Sequence, residues 1–422
     1  MTNKKRFCIF TPVLLAAAAA ALSGCSLLEN IGVIAGADPK NNTGVVLDDG
    51  IELNYNGYGF RALQNNEERR LYARIDRALN SENSTEFKTE ALGDAEKIRD
   101  VLDMYKDDFP GVFWVDETEP FTYIEHKNEG TVTVLFNRKY DGGELADAKQ
   151  RLEERIQEFV DGAPQNGSEY ERELYVHDWL VDNCEYDTEA VEIHKSDSVR
   201  ANEQNVYGAI VEGKAVCEGY ARAFQLLCGR LGVHCGVIQG RAEGFADGEN
   251  TNHIWNCVRL DGDWYQVDVT WDDLDSDDVV GSEQYIYFNL TTEVMCEDHK
   301  IAPGFSEYSS DSDWWYNAFV PECTSTEYNY YELNALTIES LDAPEIVSCI
   351  ADAAQRNDSY CIFVLGGNDD YKDVYDMIVE EYAYRWITSA NEANGYSPEI
   401  GRECKLSGIK ERRLITLVLD YE

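Results

Sequence analysis

Three residues able to carry covalent or proton-transfer chemistry stand in contexts that could bring them together: Cys217, His253 and Asp268. Cys217 follows Gly213-Lys214-Ala215-Val216, and apolar residues then recur at Tyr220, Phe224, Leu227 and Leu231, the spacing of one helix face. The cysteine therefore opens a buried helix. There the dipole and free N–H groups of the first turn favour a thiolate, and a thiolate is a nucleophile. The chemistry such a group supports is attack on a carbonyl carbon.

His253 and Asp268 lie in two β-rich runs flanking Asp261-Gly262, a dipeptide suited to a two-residue type I′ turn. With those two residues as the loop, Leu260 faces Asp263, His253 faces Thr270 and Asp268 faces Trp255. His253 and Asp268 then become diagonal neighbours on one face, ~7 to 8 Å apart at the backbone, within reach of an imidazole–carboxylate contact. A three-residue loop would put them on opposite faces. In a Cys-His-Asp set the imidazole takes the thiol proton and later protonates the leaving amine. The carboxylate fixes the tautomer and steadies the imidazolium.

These residues belong to longer blocks: Asn205-Val206-Tyr207-Gly208-Ala209, Gly213 through Ala221, Asn252-His253-Ile254-Trp255-Asn256, and Trp264-Tyr265-Gln266-Val267-Asp268-Val269-Thr270-Trp271. In this order they resemble the bacterial transglutaminase-like superfamily. The likeness extends upstream to His177-Asp178-Trp179-Leu180 and Tyr186-Asp187, and covers roughly residues 165 to 300. It implies a papain-like core with Cys217 as nucleophile, His253 as general base and acid, and Asp268 as orienting carboxylate.

The activity so implied is thiol acyl transfer: hydrolysis of peptide or isopeptide bonds in surface proteins or cell-wall peptides, with water as acceptor and no metal or organic cofactor. The same triad serves a protein-crosslinking transglutaminase, and a binding or scaffold protein could keep the fold without turnover. An oxyanion needs donors. The backbone N–H of Cys217 is the first candidate and the Tyr207 hydroxyl the second, with aromatic packing as the competing role for Tyr207. Trp255, Trp264 and Trp271 are candidates for the site wall.

The elements that must position these groups are legible from periodicity. Ser168 with Glu171 forms a capping box that starts a helix ending near Asn183. His177 lies on that helix and reads as a partly exposed residue. Upstream, helices are expected near Glu67 to Leu79, Asp94 to Tyr105 and Glu144 to Val160, with strands at Phe121 to His126 and Thr131 to Phe136. Downstream, strands are expected at Tyr360 to Leu365 and Leu414 to Leu419. The fold class is α+β, with a transglutaminase-like core at 165–305 between accessory regions at 50–164 and 306–422.

The chain of 422 residues is too long for one ordinary core. Its net charge of -44, from 80 acidic and 36 basic residues, opposes nucleic acid, and no such partner is expected. At the amino terminus, Lys4-Lys5-Arg6, an apolar stretch from Phe7 to Leu22 and Leu22-Ser23-Gly24-Cys25 read as a lipoprotein signal peptide over 1–24. Cys25 would carry the lipid, with residues 25–49 as a tether, and the protein would sit on the outer face of the cell membrane. Setting aside Cys8, Cys25 and Cys217, the remaining cysteines are odd in number and lack paired ligand spacing, so they read as buried apolar residues and not as zinc ligands. Asp272 to Asp278 departs from the calcium-loop pattern and reads as a solvated acidic loop.

Overall fold

A computed structural model describes residues 43–46, 52–81, 85–90, 95–140, 142–193, 202–243, 250–273, 281–305, 316–401 and 405–421. The signal peptide, Cys8, Cys25, Cys404 and most of the acidic loop lie outside the described residues. No helix among the described residues is long and apolar enough to cross a membrane.

The chain begins with a hairpin of β1 (Thr43–Val46) and β2 (Glu52–Tyr55), so a strand occupies part of the expected tether. Helices α1 (Tyr58–Ala62) and α2 (Asn66–Leu79) follow, then β3 (Glu86–Glu90), α3 (Ala95–Asp108), β4 (Phe121–His126), β5 (Thr131–Phe136) and α4 (Gly142–Gly162). β4 and β5 have the bounds that alternation predicts, and β5 is the centre of a three-stranded antiparallel sheet. At the end of α3, the buried Asp108 accepts from the N–H groups of Gly59 and Phe60 and from the Tyr72 hydroxyl.

The central part opens with α5 (Glu169–Asn183), capped by the reciprocal Ser168–Glu171 bonds. Short strands β6 (Glu185–Tyr186) and β7 (Lys214–Ala215) run parallel, with α6 (Thr188–Ile193) between them in sequence. Then come α7 (Cys217–Arg230), β8 (His234–Glu243), β9 (Asn250–Leu260), β10 (Asp263–Val267), α8 (Val269–Asp272), α9 (Thr292–Met295) and β11 (His299–Ile301). The sheet order is β10-β9-β8-β11, all antiparallel.

The β9–β10 register pairs Leu260 with Asp263 and Asn256 with Val267, as the two-residue turn requires. Asp261 and Gly262 both take positive φ, at 49° and 107°, the sign a type I′ turn demands. The pairing expected to reach Thr270 stops at Val267. Asp268 instead caps α8, its side chain accepting from Thr270 N and Trp271 N, and a residue spent on capping cannot continue a ladder.

The downstream part contains α10 (Tyr330–Asn334), β12 (Ala335–Ile338), α11 (Pro344–Arg356), β13 (Tyr360–Leu365), α12 (Tyr371–Met377), α13 (Ala383–Ala393), β14 (Lys405–Ile409) and β15 (Leu414–Val418). Its four-stranded sheet has its own core, in which Ile346, Ile350, Phe363, Trp386 and Leu417 pack together. The upstream and central parts share one continuous core, running from Tyr55 through Phe224 to Phe288, and the downstream part joins it through Tyr330, Tyr331, Ile362 and Leu414. The whole is α+β.

Candidate active site

The thiol, the imidazole and the carboxylate arrive from three elements, each held by a specific device. Cys217 is the first residue of α7, with Val216 as its N-cap, and its side chain packs against Ala221, Val237 and Ile254. Gly219 permits the approach of the preceding loop, since a Cβ there would lie 2.6 Å from the Glu203 carbonyl oxygen and 2.7 Å from the Ala215 side chain. The inner face of α7 is tied to the sheet by Asn256, whose buried amide donates to Ala221 O at 3.0 Å and Gly236 O at 3.1 Å. Another face is clamped to α3. Arg222 bonds Asp107 Oδ1 at 3.1 Å and Lys106 O at 3.0 Å, and Gln225 donates to Asp107 O at 2.7 Å.

His253 lies on β9 opposite Gly240, and Asp268 lies just past the end of β10. Nε2 of His253 is 2.6 Å from Oδ2 of Asp268, and both residues are buried. The two groups meet as expected, but not as ladder diagonals: pairing ends at Val267, and Asp268 reaches His253 from the cap of α8. Burial disfavours an imidazolium at His253, but the charge and hydrogen bond of Asp268, with the neighbouring Cys217 thiol, outweigh it and lift the group to about 10. For Asp268, burial alone would raise the carboxyl. The facing His253, joined by His299, instead holds it well below the usual carboxylate range.

An ionised carboxylate only accepts, so the Nε2 of His253 carries hydrogen and Nδ1 is the nitrogen left to exchange a proton with Cys217. The rings of Trp255 and Trp271 flank His253, with centroids 5.9 and 5.7 Å away. Trp255 also donates to Gln266 Oε1 at 2.8 Å, which braces β9 against β10. Trp264 does not wall the site. It packs on Tyr58 and Phe319 instead.

Three expectations are corrected. The Tyr207 ring is buried and stacks on Phe113 at 5.0 Å, with Tyr140 and Arg151 as further neighbours, so it acts as the aromatic seam to the upstream part and not as an oxyanion donor. Helical periodicity suggested a partly exposed His177, yet it is wholly buried, with Nε2 3.2 Å from Asp272 Oδ2 and Nδ1 3.1 Å from Asp178 Oδ1. Asp272, read from sequence as part of a solvated loop, is likewise buried.

Two groups at the site were assigned no role from the sequence, although Tyr186 falls in a block that carries the family likeness. Tyr186, 37% exposed, is close enough to Cys217 and Asp268 that, after burial, their charges push its phenol up. His299 on β11 sets Nε2 3.1 Å from the same Asp268 Oδ2 that meets His253. Its position in a three-residue strand between unrelated loops offers no periodicity to read. The ring nitrogens of His253 and His299 and the Asp268 carboxylate lie within 4.8 Å of one another. Both Nε2 atoms are spent in hydrogen bonds to one oxygen, so the cluster reads as a proton-holding set and not as metal ligands. Among the described cysteines other than Cys217, most are buried and all are free, while Cys296 is exposed.

The fold and this constellation define a thiol site of the papain-like type. Residues 156–269 match the model of the Transglutaminase-like superfamily. Kyphoscoliosis peptidase of Mus musculus is 28% identical over 144 residues, covering 32% of this chain and 20% of that protein. Kyphoscoliosis peptidase of Homo sapiens is 27% identical over 163 residues, covering 36% of this chain and 23% of that protein. The chain thus spans about a fifth of the length of these relatives. The crystal structure of a TGase superposes with a TM-score of 0.24 at 13% identity, covering 33% of this chain and 41% of that one. The chain contains a transglutaminase-like domain.

Proposed function

We propose that this protein is a cysteine-dependent acyl-transfer enzyme that hydrolyses peptide or isopeptide bonds, with Cys217 as nucleophile, His253 as general base and acid, and Asp268 as the carboxylate that orients it. The observation that carries this reading is the 2.6 Å bond from His253 Nε2 to Asp268 Oδ2, with the thiol at the start of α7 beside the same imidazole.

In the forward step the Cys217 sulfur, its proton already held on His253 Nδ1, attacks the substrate carbonyl carbon as a thiolate. The N–H of Cys217, at the first helical position, has no intrahelical acceptor and is available to the developing oxyanion. Collapse of the adduct breaks the C–N bond, and His253 returns its proton to the leaving amine. Water, deprotonated by His253, then cleaves the thioester and restores the thiol. Asp268 keeps Nε2 protonated throughout, which leaves Nδ1 free for both transfers.

The substrates in this reading are surface proteins or cell-wall peptides, and the lipid on Cys25 holds the enzyme at the outer face of the cell membrane. Support for the anchor is the basic, apolar and small-residue pattern ending at Cys25. The test is a comparison of the protein with Cys217→Ala on a panel of wall peptides and surface proteins, with a labelled amine present. Cleavage products that vanish in the variant support hydrolysis. Cys217-dependent incorporation of the amine would replace it with transamidation, and folded protein with no Cys217-dependent product would sink the enzymatic reading.

A further inference from the structure

Asp268 receives four donors. Oδ1 accepts from Thr270 N at 3.1 Å and Trp271 N at 3.3 Å, while Oδ2 accepts from His253 Nε2 at 2.6 Å and His299 Nε2 at 3.1 Å. A carboxylate offers about four lone-pair sites, so all are filled. It has no spare site through which to rotate away from His253.

His299 is itself held from both sides. Its Nδ1 lies 2.5 Å from Asp298 Oδ1, and Asp298 Oδ2 accepts the Tyr287 hydroxyl at 2.7 Å. A neutral imidazole has one N–H and could satisfy only one of the two carboxylates; the imidazolium satisfies both. The groups facing it from the packed elements are Asp268 before α8, His253 on β9, Asp298 beside β11 and the Tyr287 ring at 5.6 Å, with Arg412 acting on Asp298. The rings of Trp255 and Trp271, with centroids 4.9 and 4.5 Å away, help enclose it.

We propose that His299 is a positioning residue that stands as a fixed imidazolium on the far side of Asp268, locking the carboxylate and limiting the basicity it lends to His253. The idea rests on the reading of Cys217, His253 and Asp268 as the reacting set. The rings of the two histidines are 5.4 Å apart and share one carboxylate oxygen, so each positive charge weakens the hold of Asp268 on the other. Without the second charge, His253 would cling to its proton and give it up less readily to a leaving amine. The direction of the His299 shift agrees: burial disfavours its charge, but Asp268 and Asp298 raise the group above the ordinary histidine value.

The experiment has two arms, neither of which needs a substrate. The chain has six histidines, so ring ¹⁵N spectra are tractable, and the His299→Gln spectrum assigns the missing signals. Both His299 nitrogens are expected to be protonated at pH 8, whereas one bare nitrogen at neutral pH would overturn the proposal. In the second arm, alkylation of Cys217 by iodoacetamide is followed against pH by mass spectrometry. His299→Gln keeps a donor toward Asp268 but removes the charge; His299→Asn keeps the Asp298 side and leaves Asp268 short of a donor. In both, the step at which His253 loses its proton is expected to move alkaline by about one unit. The neutral-pH rate should stay within about threefold of wild type for Gln and fall about tenfold or more for Asn. Unmoved profiles in folded variants would reduce His299 to a packing residue. Should the variants not fold, the ¹⁵N state of the wild-type protein decides. If instead the protein turns over no substrate while both arms hold, the proposed reaction fails and the role of His299 stands.

Discussion

His177 Nε2 stands 3.2 Å from Asp272 Oδ2, and neither side chain reaches solvent. The contact ties α5 to the end of α8, the short helix capped by Asp268. Burial pushes the His177 imidazolium down, but hydrogen bonds to Asp178 and Asp272 win and lift it to about 9. A base whose folded value is raised contributes stability that is complete below its unfolded value and lost as pH rises through the folded one. Burial raises the facing Asp272 to about 7, so the stability that wild type holds over His177→Gln is expected to be lost as pH rises from about 7 through about 9, where His177 gives up its proton. Urea titrations across that range measure it, and a pH-independent difference would count against a charged His177.

Asp268 both caps a helix and faces His253, and one substitution separates the two. Asparagine is as good a cap as aspartate. Asp268→Asn is expected to keep the helix cap but to cost about 3 to 5 kcal/mol by leaving the buried histidines without their carboxylate, while lowering kcat by roughly 10⁴-fold, because the amide favours the wrong imidazole tautomer. Asp268→Ala should lose activity and about another 1 kcal/mol of cap stability. Equal melting curves for Asn and Ala would argue that the cap carries little weight.

The raised His253 sets the alkaline limit of the reaction. While His253 holds its proton it can serve the leaving amine, and it loses that proton as pH rises through about 10. Activity on any substrate identified with the Cys217→Ala control should therefore persist through pH 8 and 9 and decline near 10. A fall centred near pH 7 would mean that Asp268 does not support His253 as the geometry implies.

Arg222, in the second turn of the helix that Cys217 opens, binds Asp107 and Glu218 from a buried position. Removing one member of a buried pair strands the other, so Arg222→Met is expected to cost about 3 to 5 kcal/mol. Adding Asp107→Asn to that variant should recover part of the loss, since the stranded charge is then gone. Denaturant titration of the single and double variants tests this, and strict additivity would show that the pair is not coupled.

Much of the site was legible because its information is local. The apolar spacing after Cys217 gives the helix, and the Asp261-Gly262 turn gives the β9–β10 register up to Val267, after which the cap of α8 sets Asp268 against His253. A two-residue turn admits one pairing, and a one-residue slip would have moved His253 to the other face. The capping box at Ser168 and the alternation of β4 and β5 were readable for the same reason.

What tertiary structure alone decided are the contacts between elements far apart in the chain. His299 meets Asp268 across 31 residues and His177 meets Asp272 across 95, and no spacing rule reaches that far. The packing of Phe113 on Tyr207 likewise turned a candidate hydroxyl donor into a core aromatic. Periodicity assigns each side chain to a face. Which face is covered, and by which charge, depends on how the faces meet, and that is where the buried carboxylates and their histidines are paired.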